Sequence, residues 1–164
     1  MEGGRSRLPE KAKERMGLTV SLDTNVFVGV LNKEPSSTDS SKILDRIDSG
    51  ALSCVVSTLV IAERYAGYHL AGQIREKDDF HTHLEASQSY EIVDLSTGVA
   101  DQAGRIKAET GLKLPDAIVV ASAIKGGAEF LVSNDESLKK AAKFIRVLSS
   151  REFVNQEEAG RSRA

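Results

Sequence analysis

The chain has 164 residues, a formal net charge of -2 and an apolar fraction of 40%, with a pI near 6.0. That is the size of one domain with a real core, and the balanced charge excludes an overall basic field, so any polyanion must be held by a local patch or through metal. No apolar run approaches the length needed to span a bilayer, and the N-terminus lacks the apolar core of a secretory signal. With the single cysteine, Cys54, set in an apolar run as a small hydrophobe, the expectation is a cytoplasmic protein.

Residues 1–18 carry scattered charge and little periodic apolarity and read as a flexible extension. Arg5, Arg7, Lys11, Lys13 and Arg15 would suit a nucleic-acid arm, but Glu2, Glu10 and Glu14 dilute it. In the stretch TVSLDTNVFV, Val20 and Leu22 alternate with polar neighbours as a short strand does. Asp23 ends that run, and Asn25 with Val26, Phe27 and Val28 begins a helix. Pro35 and a Ser/Thr cluster then open a helix through Ile43, Leu44 and Ile47, with Gly50 placed to end it. Cys54 to Ser57 is a second strand. A helix from about Leu59 to Leu70 and a polar one from about Gln73 to Ser87 form a hairpin broken near Gly72.

Glu91 to Leu95 is a third strand, and Ser96 caps a helix that carries Val99, Ala103 and Ile106 and stops at Gly111. Leu114 and Pro115 lead into AIVVASAI, a helix apolar on every side that must be buried, closed by Gly126 and Gly127. Phe130 to Ser133 is a fourth strand, Glu136 to Ala142 a short helix, and Phe144 to Leu148 a fifth strand at the sheet edge. The end of the chain, EEAGRSRA, reads as a loose tail. Strands alternating with helices predict an α/β domain around a mainly parallel sheet.

Four acids stand out on this framework. Asp23 and Asp135 each follow an apolar strand directly, at the end where open α/β sheets bind ligands. Asp116 follows Pro115 in the first turn of the apolar helix. Glu63 falls on one helical stripe with Leu59, Val60, Ala66 and Gly67, an apolar face on which a glutamate needs a partner. Taken singly, Asp23, Asp116 and Asp135 suit helix caps or helix dipoles, and Glu63 suits a buried ion pair. Should they converge, four carboxylates cannot all stay ionised without cations or added protons. A hard divalent cation that takes oxygen ligands and leaves room for phosphate is the natural remedy. Asn25, Ser133 and Asn134 would then orient carboxylates or a water, though each also suits a turn.

Taken together, SLDTNVFV, STLVIAERYAG, LKLPDAIVVASAI and FLVSNDESL resemble the four acidic motifs of the PIN-domain nucleases, most closely the VapC-type toxins of prokaryotic toxin–antitoxin pairs. The resemblance covers about residues 19–148, and the combination of motifs is what makes it specific. It implies a three-layer α/β/α sandwich around a five-stranded sheet over residues 19–150, with 1–18 as an extension and 151–164 as a C-terminal tail. It further implies that Asp23, Glu63, Asp116 and Asp135 form a site for Mg2+ or Mn2+ that cleaves single-stranded RNA, with Asn25 and Ser133 as polar helpers. A cognate antitoxin and a homodimer are the partners it implies. The approach AGRIKAETGLKLPDA, including Arg105, also resembles the family's run-up to its third acid.

Basic residues must hold the RNA, and Arg105, Lys107, Lys113, Lys139, Lys140, Lys143 and Arg146 are the candidates, each equally at home on a solvated helix face. A haloacid-dehalogenase-like phosphatase would need a second Asp two positions after the first, where this chain has Asn25. A receiver-type signalling module would phosphorylate the residue at Asp94, but its paired early acid and late lysine are not evident. Two readings within the same fold also stand, an RNA-processing nuclease without an antitoxin and a catalytically inactive protein-binding module. His81 and His83, two apart on one helix, point to different faces and do not suit joint metal binding; His69 is isolated. Tyr65, Tyr68 and Phe80 read as packing residues.

Overall fold

A computed structural model of the chain describes residues 17–31 and 37–162. The extension up to residue 16, including its basic cluster, and Pro35 lie outside the described residues. Five short strands, β1 (Thr19–Leu22), β2 (Ser53–Ser57), β3 (Tyr90–Val93), β4 (Phe130–Val132) and β5 (Arg146–Leu148), form one sheet in the order β3-β2-β1-β4-β5. Every pairing is parallel, with Val20 opposite both Cys54 and Phe130, and Leu22 opposite Val132. Strands buried on both faces need apolar residues almost throughout, which SCVVS and FLV supply.

Between the strands lie helices α1 (Thr24–Leu31), α2 (Ser37–Asp48), α3 (Thr58–Leu70), α4 (Ile74–Ala86), α5 (Thr97–Thr110) and α6 (Leu114–Lys125). A 3-10 turn (Glu136–Ala141) and helix α7 (Ser150–Ser162) complete the α/β/α sandwich. α5 and α6 pack as a pair, with α6 laid against β2, β3 and β4; α1, α2 and α7 form a second group, α7 reaching β5. As its composition requires, α6 is buried continuously from Ala117 to Ala123. The expected stops hold: Gly50 and Gly72 turn the chain at positive φ, and Gly111 ends α5 at φ 73°. No described helix is long and apolar enough to cross a membrane.

Two expectations fail. Residues 151–164, read as a loose tail, fall largely within α7, whose Phe153 is buried against Phe130 with ring centroids 6.0 Å apart. Its polar side faces α2 through a Ser40–Ser150 hydroxyl contact of 2.9 Å and the Arg46–Glu157 ion pair. A helix with so few apolar residues gives a weak periodic signal and is held by docking rather than by propensity. β3 stops at Val93 rather than Leu95, because the Leu95 amide donates to Thr58 Oγ1 instead of continuing the ladder.

The β1 position sets where chemistry can occur. Its chain continuations lead to β2 on one side and its other neighbour is β4, so the crevice at the carboxyl ends of β1 and β4 lies at the switch point of the sheet. Asp23 leaves β1 and Ser133, Asn134 and Asp135 leave β4, all into that crevice.

Two substitutions test the packing. A Cβ on Gly126, at the end of α6, would lie 2.5 Å from Val55 Cγ1 and 2.7 Å from Cγ2 in the closed core. Gly126→Ala is therefore expected to destabilise the fold by about 1–3 kcal/mol, seen as a lower urea midpoint at unchanged slope, with Val55→Ala in the same chain recovering part of the loss. Phe153→Ala should cost about 3–5 kcal/mol in the same measurement if α7 is part of the core, and almost nothing if the segment is a tail.

Candidate active site

Four elements deliver one acid each to the crevice. Asp23 is the residue after β1, Glu63 lies in α3, Asp116 in the first turn of α6, and Asp135 caps the 3-10 turn after β4. Together with Thr24, Asn25 and Val28 they line one cleft of about 340 Å³. None of the four forms an ion pair with a lysine or arginine among the described residues. The ordinary capping role is also real: Asp135 Oδ1 accepts from the Ser137 amide at 2.9 Å.

Asp23 is only 8% exposed and is the most tightly held. Its Oδ1 accepts from the Thr24 amide at 2.8 Å, and its Oδ2 accepts from Ser133 Oγ at 2.8 Å and Asn25 Nδ2 at 3.1 Å. Ser133 Oγ in turn accepts from Asn25 Nδ2 and from the Asp135 amide. Asn25 and Ser133 thus sit where helpers of the carboxylate should. Asn134 is placed differently: its side-chain oxygen accepts from the Ser150 amide at 2.9 Å, at the start of α7, and its backbone amide donates to Asn25 Oδ1 at 3.0 Å.

Glu63 requires a correction. The buried stripe of α3 is Val60, Arg64 and Tyr68, whereas Glu63, Ala66 and Gly67 are exposed. An apolar stripe read from Leu59 and Ala66 was one residue out of phase with the face that packs. The glutamate needs no buried partner because it faces the cleft, where its Oε2 accepts from Thr24 Oγ1 at 2.8 Å. The buried charge is Arg64, 7% exposed, with its guanidinium carbon 4.8 Å from the ring centroids of both Tyr68 and Phe80. Those aromatics pack, as expected, around a cation whose burial no local pattern on α3 predicts.

The electrostatics divide the acids. Burial pushes the Asp23 carboxyl above its usual range against its hydrogen bonds from Ser133 and Thr24, and the charges of Asp116 and Glu63 push the same way. Asp116 is also raised, first by burial and then by Asp135 and Glu63, with Lys113 opposing. Asp135 is lowered by its bonds from Ser137, with Lys113 helping. Neighbouring acids are thus driven apart, Asp116 toward holding a proton and Asp135 toward staying ionised.

The donor set suits a hard divalent cation: the polar groups lining the cleft offer carboxylate, hydroxyl and carboxamide oxygens, and acids raised by burial and by one another's charge gain from one. Among the described residues no group of three or more His, Cys, Asp or Glu side chains is placed to hold a metal ion by itself. Magnesium commonly uses one or two carboxylates and fills its shell with water and phosphate oxygens, so the open arrangement fits it.

A family model described as PIN domain matches residues 20–144. The chain belongs to the PIN domain family. Its fold is like that of a toxin–antitoxin complex chain from Klebsiella pneumoniae, at 21% identity and TM-score 0.61, covering 80% of this chain and 97% of that one. A chain of VapBC2 from Rickettsia felis bound to a promoter DNA fragment gives 21% identity and TM-score 0.61, over 80% and 98%. A chain of FitAcB from Neisseria gonorrhoeae gives 21% and 0.62, over 80% and 98%. A search of curated proteins finds no match.

Of the basic candidates, Lys113 is the one whose charge acts on the acids. Arg105 and Lys143 both bind Glu109, at 3.1 and 2.9 Å, and Lys139 Nζ lies between Glu136 and Glu152. Lys107 donates to the Leu112 carbonyl at 3.2 Å, Arg146 lies over Phe130, and Lys140 is exposed without an ion pair among the described residues. His81 meets Tyr65 and His83 meets Asp48, on different sides of α4 as their spacing requires.

The raised acids give a stability test with a definite sign. An acid whose folded pKa lies above its unfolded one binds more protons when folded between the two values, so stability falls as pH rises through that window. Asp116→Asn removes that penalty, and the metal-free protein in EDTA should melt higher than wild type near neutral pH, by about 2–4 °C for each kcal/mol relieved. The gain should shrink near pH 4. Asp23→Asn should gain less, because an amide NH2 cannot accept from the donors now facing Asp23. An unchanged Asp116→Asn melting curve at neutral pH would mean that the acids do not repel.

Proposed function

We propose that the chain is a divalent-metal-dependent endoribonuclease that cleaves single-stranded RNA in the cytoplasm, acting as the toxin of a toxin–antitoxin pair. The observation that carries the reading is the meeting of Asp23, Glu63, Asp116 and Asp135 in one cleft, none of them in an ion pair with a lysine or arginine among the described residues. PIN family membership and the likeness to chains of toxin–antitoxin complexes support the toxin role and an antitoxin partner. A homodimer is part of the same proposal, as the resemblance of the motifs implies.

Asp23 and Asp116 would hold Mg2+ or Mn2+, with Glu63 and Asp135 completing the site directly or through water. The bound ion supplies a water of lowered pKa and polarises phosphate oxygens. Asn25 and Ser133 keep the Asp23 carboxylate turned into the cleft by their bonds to Oδ2. A cleft carboxylate accepts the proton of the attacking water as its oxygen bonds to phosphorus, and the P–O bond to the leaving nucleotide breaks. Asp135, whose carboxyl is lowered by its bonds from Ser137, is the weakest base of the three shifted acids and serves to hold negative charge in the cleft. Lys113 at the cleft edge offers a contact for a neighbouring phosphate.

Purified protein incubated with unstructured and structured RNAs, with Mg2+, Mn2+ or EDTA, tests the reading. Cleavage of the unstructured RNA should require metal, and Asp23→Asn or Asp116→Asn should lower it on the order of a thousandfold. Cleavage that survives EDTA or either substitution would overturn the assignment. A folded wild-type protein with no cleavage under any condition would instead favour the non-catalytic binding module. Co-purification from the native host should recover a small inhibitory protein; none would favour RNA processing without an antitoxin.

A further inference from the structure

We infer that Thr24 is the positioning residue for Glu63, fixing that carboxylate in the cleft through its hydroxyl; the inference rests on the metal-dependent nuclease reading. Thr24 is the first residue of α1 and makes two bonds to two different acids. Its amide donates to Asp23 Oδ1 at 2.8 Å, and its Oγ1 donates to Glu63 Oε2 at 2.8 Å across 39 positions of sequence. No other hydrogen bond or ion pair to Glu63 occurs among the described residues.

That single bond has work to oppose. Glu63 is exposed on α3 and has long, freely rotating torsions, and its charge repels both Asp23 and Asp116. Left alone, such a side chain would turn toward solvent, away from its like-charged neighbours. The hydroxyl holds Oε2 and leaves Oε1 unbonded among the described residues. Asp23 and Glu63 are also tied to the same residue, so the start of α1 sets the spacing between the acid after β1 and the acid on α3. An outer partner of this kind commonly sets 10–100-fold in metal affinity or activity.

The test uses the full chain with Mn2+ alone as the binding probe and an unstructured RNA oligonucleotide as the substrate. Thr24→Val keeps the shape and the backbone amide but lacks the hydroxyl; Thr24→Ser keeps the hydroxyl. Thr24→Val should weaken Mn2+ binding and lower kcat/KM by about 10–100-fold, while Thr24→Ser stays within about threefold of wild type. Because Thr24 acts through Glu63, Thr24→Val should add little to the loss already caused by Glu63→Gln, so the pair is non-additive. Wild-type Mn2+ affinity in Thr24→Val, no rescue by Thr24→Ser, or multiplying effects of Thr24→Val and Glu63→Gln would overturn the inference and leave the nuclease reading standing. A wild-type protein that neither binds Mn2+ nor cleaves would overturn that reading itself, and the inference with it.

Discussion

Like charge held at close quarters is the constraint around which this molecule is built. Two carboxylates about 5 Å apart at an effective dielectric near 20 repel by roughly 3 kcal/mol, and a cleft lined by four of them opposes its own closure. The fold supplies the opposing rigidity by placing each acid on a separate anchored element: Asp23 at the end of the central strand, Asp116 at the head of the buried helix α6, Asp135 as a cap, and Glu63 on α3. α3 itself begins at Ser57, whose hydroxyl accepts from the Leu59 amide and lies 3.0 Å from Ser122 of α6. The elements bearing Glu63 and Asp116 are thereby joined inside the core.

The network around Asp23 shows how a buried carboxylate is kept charged enough to be useful. Burial alone would favour its neutral form, and three donors from Thr24, Asn25 and Ser133 counter that. The same Ser133 hydroxyl takes the Asp135 amide, so the first and fourth acids share one oriented hydroxyl. A half-satisfied buried network would cost more than an apolar core, and here both Asp23 oxygens and the Ser133 hydroxyl have partners. Asp116 has no comparable set of donors and its carboxyl is raised while that of Asp135 is lowered, so adjacent acids of the same type are shifted in opposite directions by environment alone.

The alternation of strands and helices and the places of three acids were legible because local rules and the fold agree there, whereas the order of the strands in the sheet was not. An acid after an apolar strand, or after a proline opening an apolar helix, has a legible position in an α/β fold, so Asp23, Asp116 and Asp135 could be placed at the ends of their elements, while their grouping into one site came from the resemblance of the four motifs together. Glu63 was found for a wrong reason: helical periodicity gives a stripe but not its phase, and the buried phase of α3 runs through Arg64. Such a choice is made by aromatics from other elements, Phe27 and Phe80, that no window on α3 contains. Helix α7 was hidden similarly, since Phe153 and Val154 gain their meaning only from β4 and α2 beneath them. Thr24 was legible as a helix start but not as a partner of Glu63, because a bond across 39 positions leaves no local trace.

The distribution of positive charge completes the logic of the site. A chain of net charge -2 cannot attract RNA through its overall field, and most of its basic candidates are engaged elsewhere: Arg105 and Lys143 on Glu109, Lys139 on Glu136 and Glu152, and Lys107 on the end of α5. What remains beside the acids is Lys113, which also moderates Asp116 and Asp135. On the proposed reading, such a cleft would repel a polyanion until divalent charge is added. In such a site the cation that relieves the repulsion among the carboxylates also makes room for phosphate, so affinity for substrate and stability of the site depend on the same charge.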